Sequence, residues 1–468
     1  TKEFPIWMST NPAKDNWKEL VHKSEAGAWD PQIFWDKEKD EVYEYYGSSN
    51  LYPIYGVKLN RKTFQPEGEV IPLITLNDHE HGWERFGENN DNTFLQPFME
   101  GAFVTKHKNK YYLQYGGPGT EFSGYGDGVY ISSNPLGPFE YQSHNPFSYK
   151  PGGFARGAGH GATYEDANAD YWHVSSISIC TKNNFERRLG IWPAGFDKDG
   201  ILYSNTAYGD YPTFLPSQKK DHLNQNFSGW MLLNYNKPVQ VSSILGGFQP
   251  NYAVNEDIKT YWSAKSGAKG EYIISDLGEK STINAIQINY ADQDVELMGK
   301  PETTTGHKYV LYYSDNNKDW KILLDKSKNT KDVPHDYIEL EKSIRARYVK
   351  MVNIQMPTGK FALCGFRIFG KGSGIAPGIV NNFVPLRTEP KKEGERRNVW
   401  FKWQQESSAD GYVIYFGKSP DKLYGSIMVY GKNEYYFNGL DQSDAYYFQI
   451  EAFNNNGIGS RTEIKKSE

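Results

Sequence analysis

Three segments of the chain share one register, and this repeat is the feature that most constrains the fold. The segments are DPQIFWDKEKDEVYEYYGSS from Asp30, EGAFVTKHKNKYYLQYGG from Glu100 and HGATYEDANADYWHVSSI from His160. In each segment a polar residue opens an apolar strand, which is followed by a polar turn and an aromatic strand. Repeated antiparallel sheets that each begin with their innermost strand are typical of a β-propeller. The three polar residues are therefore predicted to converge at a central axis.

The whole chain is predicted to be all-β. Helical periodicity is nearly absent, and short strands rich in Tyr, Ile, Val and Phe alternate with turns that contain Gly, Asn, Asp and Pro. A second repeat relates VYISSNP, from Val129, to IWMSTNP, from Ile6. Residues 5–20 thus resemble the back half of a blade whose front half is not present. We therefore expect the chain to begin inside its first blade and the front half to carry a further polar axial residue.

Composition narrows the class of function. The 468 residues suffice for two to four domains. A net charge of −5 and the lack of a basic stripe disfavour nucleic acid as a partner. No apolar run of about 18 residues is present that would span a membrane. Aromatic residues make up 15% of the chain, which suits contacts with sugar rings but also suits strands. Cys180 and Cys364 lie in different predicted domains, so neither a disulfide nor a cysteine-ligated metal is expected.

Residues 1–235 resemble glycoside hydrolase family 43, a five-bladed β-propeller that hydrolyses furanosides and xylosides with inversion. The resemblance is carried by WDPQIF around Asp30, EGAFVTKHKNKYYLQY at Glu100, GAGHGAT at His160 and FERRLGIWPAGFDKDG. It implies that Glu100 is the general acid and that Asp30 tunes the pKa of that acid. It also implies that His160 is the axial histidine, which contacts substrate and in several members helps to hold a hydrated calcium.

Other substrate contacts are predicted around these residues. The resemblance implies a substrate-facing arginine, either Arg187 or Arg188. Trp29 and Trp83 are predicted to contact substrate, and Trp83 lies in HGWERFGENNDN, residues 81–92, which either walls the pocket or is ordinary surface. The general base of the family, an Asp on the first blade, matches no residue of this chain. A rival assignment makes Asp30 the base.

The proposed chemistry sets requirements on these carboxylates. An inverting glycosidase holds its acid and base roughly 6.5–9.5 Å apart, so that a water fits between base and sugar. The acid must be protonated at the working pH, so burial or a nearby carboxylate must raise its pKa. Met99 and Phe103 are predicted to surround Glu100, with Asp30 as its negative neighbour. Alone, Asp30 would equally fit a turn cap and Glu100 a solvated strand end; their common register with His160 favours a site.

Two further modules are predicted after the propeller. Residues 236–371 resemble the coagulation factor 5/8 type C, or discoidin-like, β-sandwich through DIKTYWSA, YIISDLG and RYVKM. Such modules often bind sugars, although a purely structural role fits these core segments equally well. After the linker at 370–378, residues 379–468 resemble a fibronectin type III sandwich, in which Trp403 and Tyr447 are predicted core residues.

Together these interpretations predict an exo-acting, inverting glycosidase. It would release terminal α-L-arabinofuranose or β-D-galactofuranose, with β-D-xylose less favoured, from a polysaccharide. The alternative is a carbohydrate-binding propeller without turnover, because the general base is not found. No cofactor is expected to be required, and a structural Ca²⁺ at the propeller axis is an open alternative. The expected partner is a poly- or oligosaccharide, and we expect a monomer that is secreted, periplasmic or on a bacterial cell surface.

Overall fold

The chain folds almost entirely into strands and loops. The computed structural model describes residues 5–27, 29–178, 187–215, 221–295, 306–387 and 395–467. Within these ranges the only α-helix is α1, His222–Gln225, and short 3₁₀ helices lie at Pro12–Lys14, Gly82–Glu84 and Pro250–Ala253. None of the helices in these ranges has the length and apolar character needed to cross a membrane. Cys180 lies outside these ranges, and Cys364 is buried, with its Sγ 3.4 Å from the Asn289 carbonyl oxygen.

Residues 6–204 fold into four antiparallel sheets that follow one another along the chain. The first sheet has two strands, β1 (Ile6–Met8) and β2 (Lys18–Val21). The second contains β3 (Gln32–Asp36), β4 (Glu41–Tyr46), β5 (Ile54–Leu59) and β6 (Ile71–Ile74). The third contains β7 (Glu100–His107), β8 (Lys110–Gly117), β9 (Gly126–Ser132) and β10 (Glu140–Tyr141), with β11 (Ser148–Tyr149) added to β9. The fourth contains β12 (Arg156–Glu165), β13 (Tyr171–Ser178), β14 (Arg187–Phe196) and β15 (Leu202–Ser204). The predicted propeller is confirmed, and the described residues supply three complete blades and a two-stranded one.

The first strands of the complete blades, β3, β7 and β12, lie side by side. The Gln32 side chain donates a hydrogen bond to the Val104 carbonyl over 3.0 Å and accepts one from the Val104 N–H. Thr105 Oγ1 donates to the Thr163 carbonyl over 2.8 Å. These contacts tie the innermost strands of neighbouring blades together. Polar residues at the same end of these strands are consequently brought to one place.

The second module is a β-sandwich whose strands are all antiparallel. Its strands are β16 (Met231–Leu232), β17 (Val239–Val241), β18 (Trp262–Ser263), β19 (Tyr272–Tyr290), β20 (Lys308–Ser314), β21 (Lys321–Asp325), β22 (His335–Gln355) and β23 (Ala362–Lys371). Its core includes the buried residues Trp262, Tyr309 and Phe361. Because β16 pairs with β23, this module takes in residues a few positions before the predicted boundary at 236.

The third module contains two sheets. Its strands are β24 (Val384–Arg387), β25 (Val399–Lys402), β26 (Gly411–Gly417), β27 (Gly425–Tyr430), β28 (Glu434–Phe437), β29 (Tyr446–Asn454), β30 (Gly457–Ile458) and β31 (Lys465–Ser467). One sheet has the order β24-β25-β28, and the other has the order β27-β26-β29-β30 with β31 on β29. Trp403 is a core residue as predicted, whereas Tyr447 is half-buried and its neighbours Tyr446 and Phe448 face the core instead.

A buried ionic network joins the propeller to the second module. Arg367, only 1% exposed, donates to both carboxylate oxygens of Glu256 over 2.9 and 2.8 Å. It also donates to the backbone carbonyl of Asp210 over 2.6 Å, and the Asp210 carboxylate pairs with Lys150 at 3.1 Å. The guanidinium lies over the Phe154 ring, 4.5 Å from its centroid. Charged groups this deeply buried are tolerated only when they are paired.

Backbone contacts join the propeller to the third module. A Cβ on Gly152 would lie 2.2 Å from the carbonyl oxygen of Met428, and a Cβ on Gly82 would lie 2.2 Å from that of Asn438. Real Cβ atoms are not found so close to other atoms, so these approaches require glycine.

Candidate active site

Asp30, Glu100 and His160 meet at one place, although three different blades carry them. One side-chain ligand atom from each residue lies within 4.8 Å of the others. His160 Nδ1 is 3.7 Å from Glu100 Oε2 and 4.0 Å from Asp30 Oδ2. Glu100 opens β7, His160 lies within β12, and Asp30 precedes β3, so the geometry follows from the shared register of the three segments.

Backbone hydrogen bonds fix the approach of Asp30 to Glu100. Ser49, in the loop after β4, exchanges two backbone hydrogen bonds with Met99 over 2.9 and 3.0 Å. The Gly47 N–H donates to the Trp29 carbonyl over 2.9 Å. The residue before Asp30 and the residue before Glu100 are therefore held by the same loop.

The backbone around the site is unusual at each of the three positions. Asp30 and His160 have φ angles of 50° and 51°, in the left-handed region that L-residues seldom adopt. Gly101, beside Glu100, has a φ of 67°, and a Cβ there would lie 2.8 Å from His160 Cδ2. Backbone strain of this kind is concentrated at functional sites in proteins. Gly101 is thus required both by its own backbone conformation and by the close approach of the histidine ring.

Tyr125 belongs to the site, although the sequence pattern did not single it out. Its hydroxyl donates a hydrogen bond to Glu100 Oε1 over 2.5 Å. Its carbonyl accepts a hydrogen bond from the Ala158 N–H over 2.8 Å, which anchors β12 two residues before His160. Tyr125 lies in the loop before β9, where no repeat or periodicity marks its side chain as axial.

Asp127 and His173 form a buried pair next to His160. The Asp127 carboxylate lies 2.8 Å from His173 Nε2, and both residues are fully buried. Burial raises the pKa of the Asp127 carboxyl, and nearby His173 and His160 oppose this rise. A Cβ on Gly161 would collide with the side chains of Asp127 and His173, which explains the glycine that follows His160. The pair of Asp127 and His173 therefore packs directly against the residue that follows His160.

The electrostatics of Glu100 differ from the expectation for a general acid. Burial raises the pKa of the Glu100 carboxyl, as predicted, but nearby His160, the Tyr125 hydroxyl and the Arg187 charge together hold that pKa below its ordinary value. The contact with Glu100 raises the pKa of His160, against the opposing effect of burial. Without substrate, the pair is therefore stabilised as a glutamate and an imidazolium. The predicted rise in the pKa of Glu100 is not found because the combined effects of His160, Tyr125 and Arg187 outweigh the effect of burial.

Three further residues, Trp29, Arg187 and Arg188, were predicted to contact substrate. Trp29 is 68% exposed beside Asp30, where its ring is free to meet a ligand. Arg187 lies close enough to act on Glu100, whereas Arg188 acts on His335 of the second module. The charge of Arg187 therefore acts on Glu100, which makes Arg187 the better candidate of the two arginines.

The prediction that Trp83 contacts substrate is wrong. Trp83 has no exposed surface, and its indole N–H donates to the Tyr141 hydroxyl over 2.9 Å. It lies in the 3₁₀ helix Gly82–Glu84, all of whose residues are buried, and it packs on the Tyr115 ring. Trp83 is thus part of the core of the third blade.

The three site residues do not fit a directly bound calcium. Ca²⁺ takes six to eight oxygen ligands, whereas this group offers two carboxylates and one imidazole nitrogen. Asp30 Oδ2 is buried without a hydrogen-bond partner, so it can accept a hydrogen bond from a ligand or a water. The structural Ca²⁺ at the axis stays a prediction, and we derive no chemical step through a metal.

Removing the imidazole should shift the pH profile. If Glu100 must be protonated to act, activity falls as pH rises through its pKa. His160→Gln removes the cation that lowers this pKa, so we expect the upper limb of kcat/KM against pH to move to higher pH. The matched control is His22→Gln, an exposed histidine of the first blade, which should leave the profile unchanged. A limb that stays in place or moves to lower pH would contradict the assignment.

Two segments of the chain match known families. Residues 5–202 match the family model Glycosyl hydrolases family 43. These residues form a glycosidase domain. Residues 238–365 match the model F5/8 type C domain, which confirms the second predicted module. No curated protein matches the chain in a sequence comparison.

Solved structures similar to this chain include glycosidases and sugar-binding modules. One is described as a glycoside hydrolase, with 20% identity, a TM-score of 0.42, and coverage of 75% of this chain and 72% of that one. A thermostable family-43 glycoside hydrolase has 21% identity, a TM-score of 0.36, and coverage of 47% and 70%. Chitosan-binding module 1 from a chitosanase/glucanase of Paenibacillus sp. IK-5 has 23% identity, a TM-score of 0.25, and coverage of 30% and 99%. Because these TM-scores are all below 0.5, the glycosidase domain is supported by the family match of residues 5–202.

Proposed function

We propose that the protein is an exo-acting glycosidase that releases terminal α-L-arabinofuranose or β-D-galactofuranose, with β-D-xylose less favoured, and that it inverts the anomeric centre. The observation that carries the proposal is the convergence of Asp30, Glu100 and His160 from three blades of a glycosidase domain. Glu100 is proposed as the general acid, because it is the most enclosed carboxylate of the group and opens the central strand β7.

The role proposed for Asp30 rests on its distance from Glu100. One oxygen of each carboxylate lies within 4.8 Å of the other. An inverting base needs a larger separation from the acid, roughly 6.5–9.5 Å, to admit water. Asp30 is therefore better placed to tune the proton affinity of the pair formed by Glu100 and His160 than to act as the base.

The stereochemistry of the product tests this arrangement. We expect ¹H NMR in the first minutes of hydrolysis of a 4-nitrophenyl furanoside or xyloside to show the inverted anomer before mutarotation. A retained anomer would contradict the proposal and would make Asp30 the nucleophile, since retaining glycosidases hold their carboxyls about 5–5.5 Å apart. Screening several 4-nitrophenyl sugars in the same assay identifies the sugar that is released.

A second candidate is a propeller that binds carbohydrate without turnover. It is favoured by one observation, which is that the Asp expected as general base on the first blade matches no residue of this sequence. The same screen separates the two functions: binding of a sugar without release of nitrophenol supports the second candidate.

The two sandwich modules are proposed to help the glycosidase domain to bind a polysaccharide substrate. The match of residues 238–365 to the F5/8 type C family supports a glycan contact in the second module. The strand orders β24-β25-β28 and β27-β26-β29 support the fibronectin type III assignment of the third module, which stays a prediction. Secretion or display on a bacterial surface, and the monomeric state, are likewise proposed on the basis of a polysaccharide substrate.

A further inference from the structure

A cavity of about 350 Å³ lies where the three modules meet, and we call it the junction cleft. The propeller lines it with the loop at 88–90, the loop at 123–124 and residues around Arg156. The second module adds Tyr235 and residues 255–257, and the third adds residues 428–438. Its volume lies within the range of roughly 300–1,000 Å³ that is usual for ligand sites. Part of the polar segment 81–92 thus lines this cleft and not the core.

The junction cleft shares backbone with the candidate active site. Ser123 and Gly124 line the cleft, and the hydroxyl of the next residue, Tyr125, donates a hydrogen bond to Glu100. Arg156 lines the cleft at the start of β12, the strand that carries His160. The Ala158 N–H joins these two segments through its hydrogen bond to Tyr125. The cleft and the candidate active site are therefore built on the same two stretches of backbone, residues 123–125 and 156–160.

The lining of the junction cleft suits a neutral ligand with many hydroxyl groups. Five tyrosines line it, Tyr149, Tyr235, Tyr430, Tyr435 and Tyr436, and the rings of Tyr235 and Tyr430 lie 4.7 Å apart. Aromatic rings that carry a polar group bind ligands with one apolar face and one polar edge, as sugars have.

Most of the charged side chains in the cleft have a partner of opposite sign. Arg156 pairs with Asp257 at 3.5 Å, and Glu88 pairs with Lys259 at 2.6 Å. Lys432, which is exposed, is the other cation of the lining, and a single lysine is a weak site for a phosphate or a polyanion, so the lining disfavours an anionic ligand.

We propose that the junction cleft binds the sugar units on the far side of the bond that is cleaved. This proposal rests on the proposed function, because it identifies the ligand as the polysaccharide that the glycosidase domain shortens. All three modules would then contact one substrate chain. The sandwich modules would raise affinity for long chains and would not contribute to the chemical step.

The test is a binding measurement in a protein that cannot turn substrate over. In a Glu100→Gln background, arabinopentaose, xylopentaose and the corresponding methyl monosaccharides are titrated by calorimetry. Adding Tyr435→Ala or Tyr436→Ala should weaken pentaose binding about tenfold or more, as is typical for a central aromatic contact, with a smaller effect on the monosaccharide. Tyr436 is largely exposed, so its variant should fold even if the Tyr435 variant does not. The matched control is Tyr337→Ala, an exposed tyrosine of the second module outside the cleft, which should leave pentaose binding unchanged.

Two results would overturn the proposal. One is pentaose affinity that is unchanged in the folded cleft variants, and the other is pentaose affinity no greater than that of the monosaccharides. Failure of the proposed function is seen separately, as a wild-type protein that releases nitrophenol from none of the 4-nitrophenyl furanosides and xylosides. A protein that binds pentaoses through the cleft without such release supports the cleft and contradicts turnover.

Discussion

Glu100→Gln is expected to lower kcat on oligosaccharides by at least about a hundredfold, the usual contribution of a general acid. Glutamine keeps the shape of the side chain and the hydrogen bond from Tyr125, but it has no proton to give to the leaving oxygen. Aryl glycosides with good leaving groups need little protonation, so their kcat should fall much less. Steady-state kinetics on the two substrate classes measures the difference.

The control for this variant is Glu69→Gln, an exposed carboxylate in the loop before β6 of the second blade, which should keep full activity on both classes. Equal losses on oligosaccharides and activated aryl glycosides would remove Glu100 from the acid role. Such a result would point to a binding or structural function for its contact with His160.

Arg367→Ala is expected to cost about 3–5 kcal/mol in the free energy of unfolding, as is typical when one partner of a buried ion pair is removed. The variant leaves Glu256 buried and unpaired, and it takes a strong partner from Asp210. It also empties the space over the Phe154 ring. Urea denaturation followed by tryptophan fluorescence measures the loss.

Arg347→Ala is the matched control for this loss. Arg347 lies in the same module and makes the same two-pronged contact with a carboxylate, that of Asp276, at 2.7 and 2.9 Å. That pair lies at the surface, where water and salt screen the charges, so its loss should be far smaller. Similar losses in both variants would show that burial does not set the strength of the Arg367 network.

The axial residues could be predicted from sequence because a propeller repeats its register. Asp30, Glu100 and His160 occupy equivalent positions in three repeats, so one pattern placed all of them. Tyr125 was not predicted because it lies in a loop, where no sequence period relates a side chain to the axis. The pKa of Glu100 was misjudged for the same reason, since Tyr125 and the ring orientation of His160 decide it.

The errors at Trp83 and Tyr447 have local causes. The charged residues of HGWERF suggested a surface loop, yet a 3₁₀ turn directs Trp83 and Glu84 inward, and burial raises the pKa of Glu84 to about 7. Burial alternates over residues 446–450 of β29, so assigning Tyr447 to the core instead of Tyr446 is an error of one residue. The burial of Trp83 and the face of β29 that meets the core both depend on residues distant in the sequence.

Deletion mutants of this protein will be hard to interpret, because the three modules pack against one another. A propeller expressed alone would expose the Lys150–Asp210 pair to solvent and leave the backbone at Gly82 and Gly152 without the carbonyls that pack against it. A truncated protein that loses activity would therefore report lost folding as readily as lost sugar binding. Point substitutions within the intact chain separate the two.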